Sequence, residues 1–64
     1  MISTGKKVKF KEVKGMKLRW IKGEVIGQTI TNSNVVLYHI KTEEDGKLKI
    51  YRYLPESDII EEEV

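Results

Sequence analysis

Apolar and polar side chains alternate along much of this chain. Val8 and Phe10 alternate with Lys7, Lys9 and Lys11, the period-two pattern of a half-buried strand. Lys14-Gly15 then reads as a turn. Met16, Leu18 and Trp20 alternate with Lys17 and Arg19. Past Trp20 the phase is mixed, because Ile21, Val25 and Ile26 do not continue one face. Gly23 and Gly27 fall in that run, and glycine inside a strand marks a bulge or bend. Asn32-Ser33-Asn34 predicts a loop, since these side chains bond back to their own turn backbone. Val35 to Ile40 is an apolar-aromatic run broken by His39 and reads as a central strand. Asp45-Gly46, between Ile40 and Leu48, predicts a hairpin turn with positive φ. Leu48 to Leu54 is its partner strand, and Pro55 ends it because proline has no N–H to donate. Pro55-Glu56-Ser57-Asp58 predicts a tight or 3₁₀ turn, and Ile59 and Ile60 open a last short strand. Helical periodicity is absent.

Five short strands with a bend in the second fit a small closed barrel, since closure removes exposed edges. At 64 residues the chain has room for one domain with a small core. Residues 1–5 and 61–64 are expected to fray. There is no cysteine and only one histidine, which excludes disulfides, thiolate metal sites and multi-histidine zinc sites. No metal or cofactor is expected. No apolar run approaches the roughly 20 residues of a membrane helix, so the expected setting is cytoplasmic, without membrane association.

Several motifs resemble known barrels. Trp20-Ile21-Lys22-Gly23-Glu24-Val25-Ile26, Val36-Leu37-Tyr38, Gly46 and Tyr53-Leu54-Pro55-Glu56-Ser57-Asp58-Ile59 together resemble the SH3-like barrels of the Tudor and KOW type. The likeness runs over residues 8–60 and implies an all-β, five-stranded SH3-like barrel with a short 3₁₀ turn before the last strand. An OB-fold is longer and carries a helix that no segment here supplies. A weaker resemblance is to the plasmid-encoded type II dihydrofolate reductases, through Trp20 and Gly23-Glu24-Val25-Ile26-Gly27. Lys49-Ile50-Tyr51 stands where that family carries glutamine-isoleucine-tyrosine. Its glutamine binds cofactor and substrate, whereas a lysine cannot accept a hydrogen bond. Reductase activity is therefore the remote alternative, and the expected protein is not an enzyme.

The net charge of +2 hides a division. Residues 1–22 carry eight basic groups and one acid, a net of +7, whereas residues 23–64 carry four basic groups and nine acids, a net of −5. A basic third of this kind attracts phosphates. Lys7, Lys9, Lys11, Lys14, Lys17, Arg19 and Lys22 are the candidate phosphate contacts. Cross-strand pairing with glutamates is the alternative role for these lysines. The acidic Glu61-Glu62-Glu63 is a frayed end, or folds back on the basic strands.

Catalytic constellations fail on inventory. Ser3, Ser33 and Ser57 lie in no nucleophile-elbow context, and His39 reads as a half-buried strand residue with a satisfied ring. Glu43-Glu44-Asp45 sits on a hairpin tip, with too few oxygens at the spacing a calcium loop needs. Aromatic rings remain. With Ile50 and Leu54 taken as the inward pair, Lys49, Tyr51 and Tyr53 face outward as a row on which bases can stack. Trp20 is expected in the core or at a subunit interface. These readings favour a non-catalytic module binding DNA or RNA. The alternative is a protein-interaction or homo-oligomerising adaptor. A methylated-cation cage of Tyr38, Tyr51, Tyr53 and a glutamate is opposed by the basic amino-terminal third, which repels cationic tails.

Overall fold

The computed structural model describes residues 1–62. It is all-β, with a five-stranded antiparallel sheet and one 3₁₀ turn before the last strand. The strands are β1 (Lys7–Lys14), β2 (Lys17–Ile30), β3 (Val36–Glu44), β4 (Lys47–Pro55) and β5 (Ile59–Glu61), in the order β4-β3-β2-β1-β5. The 3₁₀ turn is Glu56–Asp58. None of the described residues forms a helix long and apolar enough to cross a membrane.

Local chemistry sets the turns. Asp45 (φ 51°) and Gly46 (φ 76°) lie between β3 and β4, the paired positive φ values of the tightest hairpin loop. Gly15 and Met16 also join β1 to β2 through a two-residue loop, with positive φ at Gly15 (64°) and not at Met16. Asn32, Ser33 and Asn34 link β2 to β3, and Val35 N donates to the Thr31 hydroxyl across that loop.

Two bulges interrupt the pairing. On β2, Ile26 has no partner between the pairs Val25–Ile40 and Gly27–His39. Between β3 and β4, Arg52 and Tyr53 together oppose His39, because Tyr38 pairs with Leu54 and Ile40 with Tyr51. Tyr53 has φ 60° there. An extra residue in one strand reverses the inward–outward phase beyond it.

The core comprises Ile2, Val8, Phe10, Ile21, Val25, Tyr38, Ile40 and Ile59, with Val36, Tyr51 and Leu54 packed against it. The sheet curls around this cluster. Phe10 of β1 meets Tyr51 of β4 edge-on at 4.9 Å, although two strands separate them in the sheet. Gly23 lets β2 approach β3 closely: a Cβ there would lie 2.5 Å from the Lys41 carbonyl oxygen.

Both ends of the described chain make contacts with the sheet. Ile2 is buried, its N–H donates to the Tyr38 hydroxyl (2.9 Å), and Gly5 N donates to Val25 O. Glu61 belongs to β5 and Glu62 N donates to Lys7 O, so those two also pair. Residues 63 and 64 lie outside the described residues.

Candidate nucleic-acid interface

The outer face of β5, β1 and β2 is built by strand alternation. In β1, Val8 and Phe10 point inward, so Lys7, Lys9, Lys11 and Val13 point outward. Antiparallel register then places outward residues side by side: Lys7 with Glu24, Lys9 with Lys22, Lys11 with Trp20, and Val13 with Leu18. Ile60 of β5 stands beside Lys9.

Trp20 is the centre of this face. Its side is decided by Ile21, Gly23 and Val25, whose inward phase runs back through β2. That phase turns Leu18 and Trp20 to solvent and sends Lys17 and Arg19 to the other side. Of the two places expected for Trp20, core or subunit interface, the core is corrected: Trp20 is 46% exposed. Its indole is flanked by two ammonium groups, Lys9 Nζ and Lys11 Nζ, each 5.1 Å from the ring centroid. Such contacts contribute about 0.5–1 kcal/mol at an exposed site and hold two cations against the half-exposed ring. Beside the ring an open hollow is lined by Lys11, Trp20, Ser57, Asp58 and Ile60.

Seven basic residues were candidates for phosphate contact, and they divide three ways. Lys9, Lys11 and Lys22 share the tryptophan face and form no ion pair among the described residues. Lys7 is on that face but bonds Glu24 at 2.9 Å, which raises its pKa. Lys14 and Lys17 flank the Gly15-Met16 turn and project from the opposite side. Arg19 is not available. It donates from Nε to Glu12 at 2.8 Å and reaches Glu44 at 3.4 Å, contacts that raise its pKa, the Glu12 bond foremost.

The outward Lys49-Tyr51-Tyr53 row is also corrected. The bulge at Arg52 and Tyr53 makes Tyr51 and Leu54, three residues apart, the inward pair; Ile50 is 39% exposed. Tyr51 donates its hydroxyl to Glu12 at 2.7 Å, and Lys49 Nζ lies 4.7 Å from the Tyr51 ring centroid. Glu12, Arg19, Glu44, Lys49 and Tyr51 thus form one internal network across four strands. Tyr53 stands apart, edge-on to His39 at 5.0 Å. His39 is half-buried, with Nε2 2.7 Å from the Thr29 hydroxyl. Tyr38 is fully buried and cannot line a cage.

Sequence reasoning left Trp20 out of the candidate contact residues. The usable signal was the Ile21-Gly23-Val25 alternation, one residue out of phase with Met16-Leu18-Trp20. No group of acidic or histidine side chains among the described residues is arranged to hold a metal ion. Searches against family models, curated proteins and solved structures gave no match for this chain.

Proposed function

We propose that this chain is an SH3-like barrel acting as a non-catalytic nucleic-acid-binding module. Its contact surface is the outer face of the β1–β2 hairpin. The observation that carries this reading is the exposed Trp20 ring with the Lys9 and Lys11 ammonium groups each 5.1 Å from its centroid. A ring on which a base or sugar can pack lies within one side-chain length of cations that neutralise phosphate. Lys9, Lys11 and Lys22 make the phosphate contacts in this reading. Lys7, Lys14 and Lys17 add long-range attraction, whereas Arg19, Lys49, Tyr51 and Tyr53 take no part.

Replacing Lys9, Lys11 and Lys22 together by alanine tests it. Each phosphate contact contributes about 0.9 to the slope of log affinity against log salt, so the slope falls by roughly 3 in the triple variant. An unchanged slope in a fluorescence titration would sink the proposal. A second reading is favoured by Val13 and Leu18, which are exposed beside Trp20. Such a face suits self-association or a protein partner. Concentration-dependent dimerisation in sedimentation, with no nucleic-acid binding at low salt, would select it.

A further inference from the structure

The apolar part of this face identifies the kind of nucleic acid. Beyond Trp20 the outer surface continues as Leu18 and Val13, paired across the hairpin and 57% and 69% exposed, and ends at Met16 on the tip, fully exposed. An aliphatic row gives bases no flat surface to stack on. A single-strand groove needs successive rings, and this face has one. Aliphatic side chains act differently on a duplex: they wedge between base steps in the minor groove and unstack them.

Charge sets the direction in which a polyanion lies. Asp58 lines the hollow beside Trp20, and Glu61 and Glu62 line a second hollow with Lys9, Lys22 and Ile60. These acids disfavour phosphate along the β5 side. Toward the tip, Lys11 is the charged residue on this face and no acid among the described residues opposes it there; Lys14 and Lys17 project from the opposite side of the hairpin. A phosphate backbone therefore runs along β1 and β2 and across the aliphatic row, not over β5.

The face also lacks base-reading chemistry. Asparagine, glutamine and arginine are absent from its outward positions, and the one nearby arginine is held by Glu12 and Glu44. The minor groove presents a degenerate pattern and is read mostly by width and deformability.

We infer, on the basis of the nucleic-acid reading above, that the ligand is duplex DNA bound without base preference. Trp20 packs on the minor-groove wall, and Leu18, Val13 and Met16 form a wedge that kinks the duplex.

The test uses the full chain with a short mixed-sequence DNA duplex, its two separate strands and anionic phospholipid vesicles, at low salt. Affinity is read by Trp20 fluorescence and kinking by energy transfer between dyes on the duplex ends. The duplex is expected to bind more tightly than either strand, with end-to-end transfer rising on saturation. Val13→Thr plus Leu18→Thr places strand-compatible β-branched side chains at both positions while removing the apolar wedge. It is expected to abolish the rise in transfer and weaken duplex binding by about tenfold, leaving the salt slope unchanged. A melting curve verifies that this variant is folded, and Met16→Thr, in the turn, provides an independent check. Equal or tighter binding of single strands, or duplex binding without kinking, overturns the wedge but leaves the nucleic-acid reading standing. Failure of every nucleic acid to bind, or binding to vesicles alone, overturns both.

Discussion

The Glu12 carboxylate accepts two hydrogen bonds at once, from the Tyr51 hydroxyl at 2.7 Å and from Arg19 Nε at 2.8 Å. The Tyr51 bond first and the Arg19 bond second hold its pKa below the usual carboxylate range. Glu24 is lowered in the same sense, chiefly by its bond from Lys7. A folded-state pKa below the unfolded one adds stability above the unfolded value, and that stability is lost as pH falls through the folded one. The opposite holds for Tyr51, whose pKa is raised by desolvation and then by Glu12. Its contribution is present below the ordinary tyrosine value of about 10 and is lost as pH rises beyond it. Stability should therefore fall at both ends of the pH scale. Glu12→Gln is expected to be less stable at neutral pH, with a shallower loss toward acid and a smaller loss above pH of about 10. Urea midpoints from acid to alkaline pH measure this, and an acid limb parallel to that of the parent protein would refute the assignment. Tyr38 keeps part of the alkaline limb in both proteins. The Ile2 N–H bond lowers its pKa, but burial and Glu56 outweigh that and leave it raised.

At the scale of strands, contact between β2 and β3 depends on the absence of a side chain at Gly23. A Cβ would meet the Lys41 carbonyl oxygen at 2.5 Å and Ile40 Cγ2 at 2.6 Å. Backbone cannot retreat as a flexible side chain can, so Gly23→Ala is expected to cost about 1–3 kcal/mol. Gly27→Ala makes a useful control, since its Cβ would find its nearest neighbour, His39 Cδ2, at 4.0 Å. Equal unfolding midpoints for the two variants would rule out the crowding argument. Bulges explain what was and was not legible in the sequence. The turns at Gly15 and at Asp45-Gly46, the 3₁₀ turn after Pro55 and the short last strand follow from local backbone chemistry, and all are present. Phase is not local. Whether Ile50 or Tyr51 points inward depends on an extra residue at Arg52 and Tyr53, which exists only once β4 pairs with β3. The basic face was partly legible for the same reason. Lys9, Lys11 and Lys22 belong together through register, whereas Arg19 is drawn off by Glu12 and Glu44, acids on two other strands.

Across the whole molecule, charge and shape are organised around one hairpin. Its outer face carries the free lysines and the tryptophan, while its inner face supplies Val8, Phe10, Ile21 and Val25 to the core. In the proposed reading, binding and folding draw on alternate residues of the same two strands, so outward substitutions are expected to change affinity with little effect on packing. The strand order also has a kinetic meaning. Three of the four pairings join strands adjacent in the chain, whereas β5 returns to β1, setting Ile59 beside Phe10 across roughly fifty residues. Hairpins of neighbouring strands close quickly, and the long loop costs more entropy. The four-strand meander should form first and β5 should dock after the rate-limiting barrier. Ile59→Val trims a buried methylene and is expected to destabilise by about 0.5–1.5 kcal/mol. That loss should appear as faster unfolding with an almost unchanged folding rate in stopped-flow chevrons. A slowed folding limb would place β5 in the nucleus instead. With β5 as the late latch, the short segment that bears Ile60 and Glu61 beside the lysines sets how long each native molecule lasts before it opens.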